Sequence, residues 1–208
     1  MRTLILTLVC AFILSAPVAL QAQAKEDVIK SFNKAFELAQ NEKHMEAFNS
    51  FKETISLADQ VGADVVDIKE KAEGQLAPLM FKHAGSLYQG GDVEGAIEAF
   101  SESKTLAEQY GNESLAQKSG NVMMKIYNNL GTRMYKAEKY DEAIAHYEKA
   151  LAINGNYDAA IFNVAEALSK QNKRDEAIAM LDKARKSGER TDRSSVVRKA
   201  NRKAAEYL

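Results

Sequence analysis

The chain contains three histidines, His44, His83 and His146, and a single cysteine, Cys10. Imidazole and thiolate groups are the side chains best suited to hold a transition metal or to attack a substrate near neutral pH. A local site of that kind shows itself by spacing, as two histidines one helical turn apart or as paired cysteines. The three histidines share no such motif, and no aspartate-rich calcium loop occurs. Carboxylates are more numerous, and Glu94 with Glu98, or Glu138 with Asp141 and Glu142, could serve as an acid–base dyad. The same spacings belong to solvated helix faces and helix starts, where carboxylates support i,i+4 partners and the helix dipole. Gly90-Gly91-Asp92 lacks the further glycine and the lysine of a phosphate loop, and no G-x-S-x-G nucleophile elbow occurs. The sequence therefore offers no catalytic residue, no cofactor-binding residue and no metal ligand set, and an enzyme is not the expectation.

The amino terminus reads as a secretory leader. Arg2 supplies a positive start, Leu4 to Leu14 is an apolar run interrupted only by Thr7, and Ala22-Gln23-Ala24 forms an A-x-A cleavage site. Extended to Leu20, the apolar run comes to the lower limit of a membrane-spanning helix, so an uncleaved anchor is the alternative to cleavage after Ala24. Thr7-Leu8-Val9 lacks the small residue that a bacterial lipoprotein signal places before its cysteine. Removal of residues 1–24 leaves no cysteine, hence no disulfide and no thiol nucleophile. Export without a disulfide framework points to the periplasm or cell envelope of a bacterium, with no stable membrane insertion after cleavage. Pro78 is the only proline beyond the leader, as an almost wholly helical chain requires. Charge is divided along the chain: Lys183 to Leu208 carries nine Lys/Arg against three Asp/Glu (+6), while 25–182 carries eighteen against twenty-six (−8).

The elements that would position any site follow from internal repetition. Asp-Glu-Ala-Ile-Ala occurs at Asp141–Ala145 and again at Asp175–Ala179, 34 residues later. Around the first copy stand Tyr127, Leu130, Gly131, Met134, Tyr135, Tyr140, Ala143, Ile144, Tyr147, Ala150 and Leu151; around the second, Ile161, Val164, Ala165, Leu168, Ala177, Ile178, Leu181 and Ala184. This pattern resembles the tetratricopeptide repeat, in which two antiparallel helices cross through small residues with aromatics beside them. Two earlier copies appear when the small residue of the second helix is the anchor: Ala47 with Phe51 and Ala96 with Phe100 precede Ala143 with Tyr147 and Ala177 with Leu181. The first two repeats are longer, with extended amphipathic stretches over 64–89 and 113–138. Pro78 is expected to kink the first of these.

The reading is an all-α chain of nine helices: 26–41, 44–60, 64–89, 93–110, 113–138, 141–153, 157–171, 174–187 and 192–207. The resemblance implies a right-handed α-α superhelix of about four hairpins, with repeats near 28–61, 64–110, 113–156 and 157–190. These make an array over 25–191, followed by a basic capping helix over 192–208. In that last segment Val196, Val197, Ala200, Ala204 and Leu208 form an apolar side, and Arg198, Lys199, Arg202 and Lys203 a charged one.

In the family the first helix of each hairpin lines the concave surface. Here that face would offer Phe32 and Phe36, Phe81 and Tyr88, Asn128 and Tyr135, then Phe162 and Glu166. Asn129 and Asn163 match the asparagine that the family uses to hold ligand main chain. The lysine and asparagine of the chaperone-tail version fall at Phe32 and Phe36, so a carboxylate clamp is not supported. Aromatic anchors mixed with amides suit an extended or helical peptide. The expectation is a non-enzymatic scaffold that binds a protein or peptide partner, with no cofactor. The basic tail has three readings: a solvated outer face, contact with the acidic body of a second copy, or contact with an anionic surface. Nucleic acid is disfavoured by the leader and by the lack of a stacking platform beside the tail. The alternative function is a structural subunit that self-associates through its terminal helices, as a homodimer would, without a groove ligand.

Overall fold

The computed structural model describes residues 2–207, with side chains from Leu20 to Tyr207. Among the described residues the chain forms nine α-helices and no strand: α1 (Arg2–Gln40), α2 (His44–Val61), α3 (Val66–Gln89), α4 (Val93–Gln109), α5 (Glu113–Lys136), α6 (Tyr140–Ile153), α7 (Asp158–Lys170), α8 (Arg174–Arg190) and α9 (Ser194–Tyr207). A 3-10 turn, Ala63–Val65, precedes α3 and moves its start two residues later than the periodicity predicts. The leader expected over 1–24 falls mostly outside the described side chains, and among the described residues no helix is long and apolar enough to cross a membrane.

Helix α3 runs unbroken through Pro78. A proline removes one backbone donor and crowds the residue four positions before it. That residue is Gly74, which has no side chain to collide. The buried Ser103 of α4 donates its hydroxyl to the carbonyl of Ala77 at 3.0 Å, so a polar group inside the α3–α4 hairpin is satisfied.

Each hairpin closes by the same backbone device. Glu42, Gly91, Glu138 and Asn172 have φ of 58°, 88°, 60° and 61°, beside the turns predicted near 42, 91, 139 and 172. The N–H that follows each of them reaches five residues back: Lys43 to Leu38, Asp92 to Leu87, Lys139 to Met134 and Lys173 to Leu168, at 3.0–3.1 Å. This is the left-handed C-terminal cap that satisfies the last carbonyls of a helix and reverses the chain. Asp192 repeats it between α8 and α9, with Arg193 bonded to Gly188 at 2.8 Å.

The chain divides into two compact units, residues up to 117 and residues from 118. In the first, α1 pairs with α2 and α3 with α4. Ala47 and Ala96 have no exposed surface, and Phe51 and Phe100 beside them are buried. Burying one such ring contributes about 1.5–3 kcal/mol. In the second unit Ala143 and Ala177 are likewise fully buried, beside Tyr147 and Leu181. The matching small residue on the first helix of each hairpin, Ala35, Ala84, Gly131 or Ala165, stands twelve positions before its anchor and is buried in every case. Gly131 marks the closest crossing, because a Cβ there would lie 2.6 Å from the Tyr147 ring and 3.0 Å from the Ala143 carbonyl oxygen.

Helix α9 covers the end of the second unit. Val196, Ala204 and Tyr207 join Ala200, Leu181 and Ala184 in one core; Leu208, assigned to the apolar side in the sequence, lies outside the described residues. Arg193 fastens this end. It pairs with Asp158 in the first turn of α7 and donates to Ser187 Oγ at 3.0 Å, while Ser187 donates to Asn156 Oδ1 at 3.0 Å.

Candidate functional site

In the second unit, side chains of α5, α7 and α9 converge on one face. Asn163 of α7 donates its Nδ2 to Asn128 Oδ1 of α5 at 2.9 Å. Two helical turns further along α5 and about one further along α7, the Tyr135 hydroxyl donates to Glu166 Oε1 at 3.1 Å. The Tyr135 ring is held edge-on against Tyr140, with centroids 5.5 Å apart. Behind it, Tyr147 donates to Thr132 Oγ1 at 3.3 Å, and Thr132 donates in turn to the Asn128 carbonyl at 3.0 Å. Thr132, Tyr135, Lys136, Tyr147, Asn163 and Glu166 line a pocket of about 220 Å³.

The electrostatics of this pocket favour fixed hydrogen bonding over proton transfer. Burial, then the charge of the Glu166 carboxylate and its hydrogen bond, push the Tyr135 phenol up to about 12. Burial likewise raises Tyr147. Both phenols are therefore neutral donors at physiological pH. The arrangement presents fixed phenol, amide and carboxylate groups on which a ligand can be held. Among the described residues, no group of three or more His, Cys, Asp and Glu side chains is placed to hold a metal ion.

Helix α9 reaches onto the same face. Lys199 Nζ lies 4.2 Å above the centre of the Phe162 ring, and Lys203 Nζ is 3.7 Å from Glu166 Oε2. Phe162 keeps only 7% of its surface exposed. Arg198, Lys199 and Arg202 are all exposed on the charged side of α9; of these Lys199 lies over the Phe162 ring, and the half-buried Lys203 pairs with Glu166.

Residues 134–194, which contain most of this face, match the sequence family described as Tetratricopeptide repeat. Over residues 134–194 the chain carries the tetratricopeptide repeat. That repeat fold is a protein-interaction scaffold and is generally non-catalytic. Solved repeat structures resemble the chain at low identity. The TPR2B domain of yeast Sti1, in complex with an Hsp70 peptide, is 20% identical over 65% of this chain and 95% of its own, with a TM-score of 0.39. The TPR2AB region of the same yeast protein, in complex with an Hsp90 peptide, is 15% identical over 86% and 85%, also at 0.39. The quorum sensor NprR of B. thuringiensis is 13% identical over 89% and 60%, at 0.40. Scores at this level carry no argument about partner or activity. None of the curated proteins compared with the chain matches it significantly.

The repeats bring together some of the predicted groove residues and separate others. Asn128, Tyr135, Asn163 and Glu166 meet. Asn129 is exposed on α5 and lies outside the amide pair, which forms through its neighbour Asn128. Asn163, which the resemblance assigns to ligand main chain, commits its Nδ2 to Asn128. Phe162 is largely core under the Lys199 ammonium. In the first unit Phe32 is half-buried, edge-on to Phe51 at 5.5 Å and stacked on Phe36 at 6.4 Å. Phe81 is edge-on to Phe100 at 5.1 Å. Phe36 and Tyr88 remain 46% and 41% exposed and present open apolar area. Thr132, Tyr147, Lys199 and Lys203 were not predicted for the site. Tyr147 meets Thr132 across 15 residues, whereas Lys199–Phe162 and Lys203–Glu166 each span 37, close to one repeat length. Pairing positions one repeat apart is the sequence signal that would have suggested Lys203.

Proposed function

We propose that the chain is a non-enzymatic scaffold whose first-helix face in the second unit, built on α5 and α7, binds a protein or peptide partner. The observation that carries this reading is the pocket at Tyr135 and Glu166. There Tyr135 is tied to Glu166 and Tyr147 to Thr132, and the half-buried Asn163 is held by Asn128 while its Oδ1 can still accept from a ligand main chain. Preorganisation of this kind lowers the ordering cost of association. Phe36 and Tyr88 of the first unit add exposed aromatic area of the same kind. The leader-like residues Arg2, Leu4 to Leu14 and Ala22-Gln23-Ala24 support export to a cell envelope, where the partner would be met.

The test is affinity capture from the envelope fraction, with the parent chain beside a Tyr135→Ala/Glu166→Ala variant. The parent retains a partner that the variant loses, although both melt within a few degrees of each other. Equal capture by a variant of unchanged stability would move the binding surface elsewhere.

A further inference from the structure

Two lysines of α9, four positions apart, already occupy the face described above. Lys199 supplies a cation to the Phe162 ring at 4.2 Å, and Lys203 supplies one to the Glu166 carboxylate at 3.7 Å. Both contacts are made by flexible side chains. The helix that bears them is anchored separately, through Ala200, Val196 and Ala204 on α8 and through Arg193 at its start. The lysines can therefore swing away while α9 stays in place. A cation over an aromatic face and a partly exposed ion pair are each weak, so withdrawing them is easy. Withdrawal would leave an uncovered ring and a carboxylate whose second oxygen has lost its counter-ion. The charged groups around this spot are Glu166, which lines the pocket, Lys136 at its rim, and Glu206 of α9, whose Oε2 is 3.8 Å from Lys203 Nζ and stays with α9 when the lysine withdraws.

We propose that Lys199 and Lys203 form a latch that imitates the partner, and that the partner is a cationic amphipathic helix with Lys or Arg four residues apart. This rests on the reading of the α5–α7 face as a binding surface and adds what it binds. The occupant is argued from charge and geometry, because the face already selects two ammonium groups at i,i+4 spacing from the one helix that reaches it. The partner's cations replace those of α9 over Phe162 and at Glu166, its apolar side meets Tyr135, and α9 need not unfold. Since Glu166 is half-exposed, binding weakens as salt rises.

The experiment uses the full chain and a fluorescein-labelled synthetic peptide of residues 194–207, whose sequence carries Arg198, Lys199, Arg202 and Lys203 on one side. Anisotropy is measured with the parent and with K199Q/K203Q, in which the apolar side of α9 is intact. The unlatched variant should bind about five-fold more tightly than the parent. Adding Glu166→Gln to it should remove most of that gain, and a peptide with its four cations changed to Glu should not bind. Equal affinity for parent and unlatched chains overturns the latch. Equal binding of the acidic peptide, or no binding to the unlatched chain at about 1 mM, overturns the cationic partner. If Tyr135→Ala abolishes peptide binding while the latch variant changes nothing, the binding face stands and the latch alone fails. If neither substitution matters, both readings fail. Thermal melts of all variants within about 3 °C of the parent separate these outcomes from misfolding.

Discussion

The two units solve the same packing problem and finish their first-helix faces differently. In the first, Ile29 and Phe36 on α1 and Val66 and Tyr88 on α3 remain exposed, and all the large exposed apolar residues among the described side chains lie at or before Tyr88. In the second, the equivalent face is tied by polar side chains one repeat apart, Asn128 to Asn163 and Tyr135 to Glu166, and is then partly covered by lysines of α9. The small-residue crossing is common to both units. What differs is the finish, apolar and open in one, polar and latched in the other. Hairpin packing and surface chemistry are thus specified by separate sets of positions, as expected when core positions set the fold and exposed ones set the partner.

The comparison breaks most sharply at glycine. Replacing Gly131 by Ala should destabilise the second unit by about 1–3 kcal/mol, because the new methyl meets the Tyr147 ring and the Ala143 carbonyl. The same change at Gly85 of α3, where a Cβ meets nothing within 4 Å, should stabilise by about 0.5–1 kcal/mol. Chemical denaturation read by a probe in each unit gives both signs. Equal effects at the two positions would show that Gly131 is not at a crossing. Next in size is Arg193→Ala, which strips the partner from the mostly buried Asp158 carboxylate and loosens the start of α9. A loss of about 1 kcal/mol, confined to the second unit by hydrogen exchange, is expected. The shared left-handed turns predict no difference at all. Glu42→Gly in the first unit and Glu138→Gly in the second should each stabilise by about 0.5–1 kcal/mol, since each relieves an L-residue at φ near 60°.

The pH response separates the units more gently. Burial first, then the Lys82 charge, holds the His44 imidazole below its ordinary value. A depressed folded value means stability that is full above about pH 6.5 and is lost as the pH falls below it. His44→Gln should flatten the acid limb of the first unit. Tyr135, raised to about 12, works in the opposite direction, with its contribution full below about pH 10 and lost between there and 12. Tyr135→Phe should flatten the alkaline limb of the second unit.

Much of the fold was legible because helices announce themselves locally. The anchors Ala47, Ala96, Ala143 and Ala177 located every hairpin, and all four are fully buried. The turns at Glu42, Glu138 and Asn172 carry no glycine, yet the anchor series placed them within a residue. The polar ties were less legible, since Asn128 and Asn129 both lie beside the apolar stripe and about 100° of helix rotation decides which one meets Asn163. Lys199 and Lys203 were read as part of one charged side of α9. A flexible side chain at the edge of that side can reach a ring on a neighbouring helix, and periodicity cannot register such reach.

The central claim, that the α5–α7 face meets the partner, is tested most directly by photo-crosslinking. A benzoylphenylalanine placed at Lys136, on the pocket rim, is compared in cells with one at Glu148, exposed on α6. The account predicts a discrete partner adduct from position 136 and none from 148, whereas adducts from 148 alone, or equally from both, would contradict it.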